Sequence, residues 1–331
     1  MITRTHFPPY PKGWYGLAIS SDIPSGKLIS RKLMEHELII FRTKSGVLSA
    51  LDAYCPHLGA HLGHGGKVIG EVVQCPFHRF CFDTQGKCAS SAFKGGRAAT
   101  WPIRETSGLV MVYYGGPENE MPTWEVPTLN TEGWSPNICQ TFTFRSHPQE
   151  VVENSIDLSH GVGLHGFKSI TPKTELKLEG PNLRIDLAVK ESLDFPGFRD
   201  ISGEVEFNVH AWGLGYLLIR VLAEDVKLDM RYWLLATPTE GENIELRLVF
   251  SADQNFNIAK MFPVLKILPA SLLRKGLFAL LLRKYIVTLK QDFVIWGNKN
   301  YVKNPIPAGN DPFLKQYREW AKQFYAAETS T

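Results

Sequence analysis

Cys55-Pro56-His57 is followed, after seventeen intervening residues, by Cys75-Pro76-Phe77-His78. Each of two short loops thus offers one thiolate and one imidazole, and a chain that must bring these four ligands together has few folds open to it. Both loops lie within Trp14 to Tyr114, where β-rich runs such as Glu37 to Arg42, Val47 to Ala53 and Leu109 to Tyr114 are broken by glycine. This pattern predicts a small all-β domain. Gly59, Gly63, Gly65 and Gly66 suit two tight loops closing over a bound group. In a two-iron, two-sulfur cluster of mixed ligation, two cysteines hold one iron and two histidines the other, and neutral imidazoles raise its potential above that of an all-cysteine cluster. Tetrahedral zinc is the alternative for the same four side chains. Zinc motifs usually pair like with like, whereas here each loop mixes the two, which favours the cluster. His61 and His64 then read as polar loop residues, and Cys81, Cys88 and Cys139 as small hydrophobes.

A second constellation follows. Pro148 to His160 predicts a helix: proline suits the first turn, Gln149 and Glu150 favour its positive end, and Val151, Val152 and Ile156 supply apolar contacts. Asn154, Asp157 and His160 stand at three-residue steps near one face of it, and His165 lies just past Gly161 and Gly163. A flexible turn there lets both imidazoles reach one metal. Two histidines and one carboxylate on one face of iron leave positions open for O2 and substrate. Between residues 254 and 310 the only acidic side chain is Asp292, set among large apolar neighbours. A buried carboxylate needs a partner such as a metal. The alternative makes the histidines surface or capping residues and Asp292 a solvated helix residue. An upstream one-electron donor needs a destination, which favours the metal.

Gly115 to Pro127 is rich in proline, glycine and acid and reads as a linker, which divides the chain near residue 120 into units 1–120 and 121–331. Alternating runs at Leu183 to Val189, Glu204 to Val209 and Glu245 to Phe250 predict a large antiparallel sheet, and helical pattern returns from Ile258. The second unit is therefore expected to be α+β, with helices at both ends of the sheet.

The segments AYCPHLGAHLGHGGKV and VQCPFHRFCFDTQGKC resemble the cluster loops of Rieske-type oxygenases, with Ala60 and Phe77 where respiratory Rieske proteins carry disulfide cysteines. Arg79-Phe80 stands where many members have Gly-Trp. ENSIDLSHGVGLHG is similar to the mononuclear-iron motif of the oxygenase subunits, and DFVIWGNKNYV to their third-ligand helix. The resemblance implies a helix-grip catalytic domain behind the Rieske domain. It implies that Cys55, His57, Cys75 and His78 hold the cluster and that His160, His165 and Asp292 bind iron(II). Asp157, beside Asn154, would link His160 to a cluster histidine, His78, of a neighbouring subunit. It further implies a homotrimer, O2 as cosubstrate, and electrons from NAD(P)H through a separate ferredoxin or flavin reductase. The tail PFLKQYREWAKQFY and the CPFH loop look more like the 3-ketosteroid 9α-hydroxylase and cholesterol 7-desaturase group than the benzene or naphthalene dioxygenases. A large apolar substrate, a steroid or sterol, is the expectation, whether hydroxylated, demethylated or desaturated. An aromatic-ring hydroxylating oxygenase and a bare electron carrier are the rival readings, and the second has no use for His160, His165 or Asp292.

A formal net charge of +3 is too small to suggest nucleic acid as the partner. The start, MITRTHFPPYPKGWYG, lacks an apolar stretch behind a basic head, so the chain is expected to be cytoplasmic. From Gln254 to Gln291 there is no acid but there are seven basic residues, Lys260, Lys266, Arg274, Lys275, Arg283, Lys284 and Lys290, interspersed with leucine and phenylalanine. This amphipathic stretch is compatible with rest on an anionic membrane surface, with an active-site wall whose charges face water, or with docking of an acidic ferredoxin.

Overall fold

The computed structural model describes residues 6–193, 201–255, 269–306 and 312–325. The first unit is built of small antiparallel sheets. Gly13–Ile19, Leu109–Tyr114 and Ile103–Thr106 form one, and Leu28–Leu33, His36–Arg42, Leu48–Asp52 and Thr100–Trp101 form a second. The third, Lys67–Ile69, Val72–Gln74 and Cys81–Phe82, lies between and beyond the two cysteine-histidine loops.

An eight-stranded antiparallel sheet forms the second unit. Its order is Ile138–Arg145, Asn243–Ala252, Leu228–Pro238, Tyr216–Ala223, Ile201–Trp212, Asn182–Leu193 and Ser169–Pro172, with Lys177–Glu179 also paired to Asn182–Leu193. The helices are α1 (Pro148–Asn154), α2 (Leu158–Gly163), α3 (Ala270–Asn298) and α4 (Leu314–Ala321). The α+β expectation holds, although one strand, Ile138–Arg145, precedes the first helices. The part of the expected helical region before residue 269 lies outside the described residues.

Period-two alternation explains which face each strand shows. In Asn182–Leu193, Leu183, Ile185, Leu187 and Val189 enter the main core beneath the helices, while Arg184 and Lys190 stay outside. The central strands are apolar on both faces. Leu217, Leu234 and Leu248 join that main core, whereas Tyr216, Leu218, Trp233, Leu235 and Val249 pack against Trp14, Leu109, Met111 and Tyr113 of the first unit. Each such side chain contributes roughly 1.5–3 kcal/mol when fully buried, so the two units share a core rather than touch at a surface. The backbones approach closely where Gly16 meets Leu235: a Cβ there would lie 2.4 Å from the leucine Cδ1. The Gly16 carbonyl accepts hydrogen bonds from Arg247 Nη1 and Thr237 Oγ1, each 3.0 Å. The expected linker is also bound into this core, with Val126 buried and the Trp124 carbonyl accepting from Trp14 Nε1 at 2.8 Å.

Candidate functional site

The two ligand loops have matching backbones. The Cys55 carbonyl accepts from Gly59 N and the Cys75 carbonyl from Arg79 N, while the cysteine amides donate to Ala60 and Phe80 carbonyls respectively. The residue four past each cysteine is left-handed, Gly59 at φ 72° and Arg79 at φ 59°. This geometry favours glycine and costs another residue about 1 kcal/mol, so Arg79 meets the same backbone demand as Gly59 at some strain.

Cys55 and Cys75 are buried, 3% and 1% exposed, whereas His57 is partly exposed and His78 exposed. Their two Nδ1 atoms lie 3.2 Å apart with rings nearly perpendicular at 81°. Phe80 and Phe93 pack beside His57, at ring-centroid distances of 5.0 and 5.3 Å. Burial pushes the Cys55 thiol up, with Cys75 adding to the rise. Bound iron offsets that penalty by holding both sulfurs as thiolates, so the four side chains fit the cluster. The sulfurs are buried and the imidazoles lie toward the surface. His61 is engaged elsewhere: its Nε2 is 3.2 Å from Glu37 Oε2, and its Nδ1 accepts from Gly63 N.

The expected single helix at residues 148–160 is two. α1 starts on a His147 cap whose Nδ1 accepts from Gln149 N, carries Pro148 in its first turn, and ends at Asn154. Ser155 Oγ then donates to the Val152 carbonyl. Asp157 is no mid-helix residue; its carboxylate caps α2 by accepting from Ser159 N and His160 N at 3.0 and 3.2 Å. Asp and Asn are favoured caps because they satisfy helix-end amides, and a cap here turns the chain so that His160 and His165 face inward.

His160, His165 and Asp292 converge, with one ligand atom from each within 4.8 Å of the others. His165 Nε2 is 3.4 Å and His160 Nε2 4.0 Å from Asp292 Oδ1. The tautomers follow from the partners of the other ring nitrogens. His160 Nδ1 donates to the Asp157 carbonyl at 2.5 Å, and His165 Nδ1 to Gln291 Oε1 at 2.9 Å. Both Nε2 lone pairs therefore point toward a carboxylate that is only 4% exposed. Three acceptors in a dry place repel one another unless a cation sits among them, so the set fits a divalent iron with two histidines and one carboxylate. Burial pushes the His160 imidazole below its ordinary value, which keeps it in the neutral, ligating form. Asn154 Nδ2 donates to Asp292 Oδ1 at 3.2 Å and touches His160 Nε2 at 3.1 Å.

Sequence reasoning missed Gln291, whose position beside the carboxylate in α3 was the only signal for its role in orienting His165. It also missed the ties that hold α1 to the C-terminal elements. Glu150, buried in α1, pairs with Lys299, and Arg318 of α4 pairs with Glu153, with Nη2 to Oε1 at 2.9 Å. The described walls at the triad enclose about 90 Å3 and are mostly apolar, including Phe167, Leu187, Phe207, Val209, Leu217 and Leu234.

The pattern of a Rieske [2Fe-2S] domain matches residues 13–102, and that of a 3-ketosteroid 9alpha-hydroxylase C-terminal domain matches residues 113–325. The chain belongs to the Rieske non-haem iron oxygenases. Within this family it is similar to a cholesterol 7-desaturase of Drosophila melanogaster, 28% identical across 97% of this chain and 76% of that protein. It is 25% identical to the oxygenase component of a Rhodococcus rhodochrous 3-ketosteroid-9-alpha-monooxygenase, across 96% of this chain and 84% of that protein. The fold is shared with dicamba monooxygenase bound to dicamba, with a TM-score of 0.65 at 16% identity over 94% of this chain and 96% of the other. It is shared also with the Pseudomonas putida CBB5 NdmA QL mutant with theobromine, with a TM-score of 0.68 at 15% identity over 93% and 89%. Both metal centres, a Rieske cluster and a mononuclear iron, are typical of this family.

Proposed function

We propose that this Rieske oxygenase oxidises a large apolar substrate, a sterol or steroid, with electrons from NAD(P)H delivered by a separate ferredoxin or flavin reductase. The observation that carries the reading is the apolar cavity between sheet and α3 that opens on His160, His165 and Asp292. The sterol and steroid names of its relatives support it. In this reading Cys55, His57, Cys75 and His78 hold the cluster in unit 1–120, and the triad holds iron in unit 121–331. The bound groups supply single electrons and activate O2. The chain's own side chains do the rest: Gln291 and the Asp157 carbonyl hold the imidazole protons on Nδ1, Asn154 steadies Asp292, and the apolar walls exclude water.

Asp157 connects the iron site to a neighbour. It caps α2 and touches His160 through its own carbonyl, and it is partly exposed; in this reading its carboxylate reaches His78 of an adjacent copy in a homotrimer. One observation favours a second reading, oxidation of a small aromatic ring: the cavity of about 90 Å3 has room for only a few water-sized groups. Residues 194–200 and 256–268, which join strands and α3 of its walls, lie outside the described residues. Mass-spectrometric product analysis on a panel of sterols, steroids and aromatics decides between them. Purified anaerobically, the protein should also contain about three irons and two acid-labile sulfides per chain. Stoichiometric zinc without sulfide would end this reading.

No described helix is long and apolar enough to cross a membrane. On α3, however, Leu272, Leu280, Val287 and Val294 are exposed, with Lys275, Arg283 and Lys290 exposed among them. Lys260 and Lys266 lie outside the described residues. We read this face as resting on an anionic membrane from which a poorly soluble substrate is collected, the enzyme itself being cytoplasmic. Basic residues near such a surface contribute about 1 kcal/mol each, so K275Q/R283Q should weaken co-sedimentation with anionic vesicles by roughly tenfold or more, and less so at high salt. Equal binding by both proteins removes the membrane role, and a selective loss of reductase-driven activity assigns the charges to ferredoxin docking.

A further inference from the structure

Three hydroxyl side chains line the cavity at the triad: Ser155, Tyr285 and Thr288. Ser155 Oγ donates to the Val152 carbonyl at 2.7 Å and Thr288 Oγ1 to the Lys284 carbonyl at 3.3 Å. Among the described residues the Tyr285 hydroxyl has no hydrogen-bond partner. Tyr285 lies seven residues before Asp292 in α3, so both share one helix face, about 10.5 Å apart along the axis. Its ring stacks on Tyr232 at a centroid distance of 4.1 Å and an interplanar angle of 17°. Tyr232 is itself buried, which holds the phenol in place. Burial, with Asp292 adding to it, pushes the phenol up, so it stays protonated and acts as a donor.

We propose that Tyr285 is a specificity-determining residue whose hydroxyl donates a hydrogen bond to a neutral oxygen, hydroxyl or keto, of an otherwise apolar substrate. This rests on the apolar-substrate reading above and names how such a substrate is oriented. A donor in a mostly apolar cavity discriminates strongly, because a ligand without the matching acceptor leaves the hydroxyl unpaired or must trap a water with it. The same contact fixes which end of the substrate lies two helical turns from Asp292, and thereby which carbon faces the iron.

The test is equilibrium binding of radiolabelled ligands to the anaerobic holoenzyme, in two pairs that differ by one oxygen: cholesterol against cholestane, and 2-naphthol against naphthalene. Wild type should prefer the oxygenated member of the pair that it binds by about 10- to 100-fold. Tyr285→Phe keeps the ring stacked on Tyr232 and should bring that ratio close to one through loss of the oxygenated ligand alone. Its iron content, cluster absorption and melting temperature should match wild type, since the hydroxyl holds no other group among the described residues. A ratio near one in wild type, or a ratio unchanged in Tyr285→Phe, overturns the proposal. Binding of the naphthalene pair alone removes the sterol reading while the same ratio still judges Tyr285. Binding of none of the four overturns both.

Discussion

Asp292→Ala is expected to give a protein with the full visible spectrum of the cluster but about two irons per chain instead of three. The carboxylate is one of three converging ligand atoms, and α3 offers no substitute beside it: its neighbours are Gln291, already bonded to His165, and Phe293, packed on Phe144. Losing a mere supporting partner of a metal ligand typically costs 10- to 100-fold. Losing the ligand itself should therefore lower turnover by more than about 100-fold. Stability separates this from simple misfolding. Iron that binds the folded state raises the melting temperature, the more so the further its concentration exceeds Kd, so added ferrous ion should raise that of wild type and leave the variant where it was. The apo variant should melt no lower than apo wild type, because a buried carboxylate facing two lone pairs is itself unfavourable without a cation. Three irons in Asp292→Ala would show that another group completes the site.

Asp157→Asn should retain both metal centres and lose reductase-driven turnover by about 100-fold or more. Asparagine caps a helix as well as aspartate does, so Ser159 N and His160 N keep an acceptor and α2 keeps its position. The backbone carbonyl that receives His160 Nδ1 is untouched. On the proposed bridge, what disappears is the negative charge that would stand between the iron site and the cluster histidines of a neighbouring copy. The diagnostic measurement is reoxidation of a chemically reduced cluster in a single turnover, which should slow while iron content stays at three. Asp157→Ala should add a loss of about 1 kcal/mol from the missing cap. A normal rate in the asparagine variant would remove the bridging role and leave Asp157 as a cap alone.

Much of this was legible in the chain, for reasons that are local. The C-x-H and C-x-x-H loops announce themselves because each pair of ligands is held within a few residues, and the fold sets Gly59 and Arg79 at matching backbone positions around them. Leu183 to Val189 reads as a strand because polar Arg184 and Asp186 alternate with Leu183, Ile185 and Leu187, so the period of two shows. The strand Tyr216–Ala223 shows no such alternation, since Leu217 and Leu218 enter different cores. Only the partner on its second face, the first unit, explains that pattern. The helix break after Asn154 was hidden for a similar reason: three-residue steps look helical, and nothing local reveals that Asp157 serves as a cap.

The order of the two units and the α+β class are properties of spacing and periodicity, and the sequence by itself determined them, as it did the choice of candidate ligands. Convergence is different. Asn154 meets Asp292 across 138 positions and Arg318 meets Glu153 across 165, and no periodicity reports contacts at that range. The tertiary structure alone decided the orienting role of Gln291, the merging of two units through one core and a Tyr285 hydroxyl without a hydrogen-bond partner among the described residues. Each depends on which faces the sheet and α3 turn toward one another, and packing sets that over the whole chain.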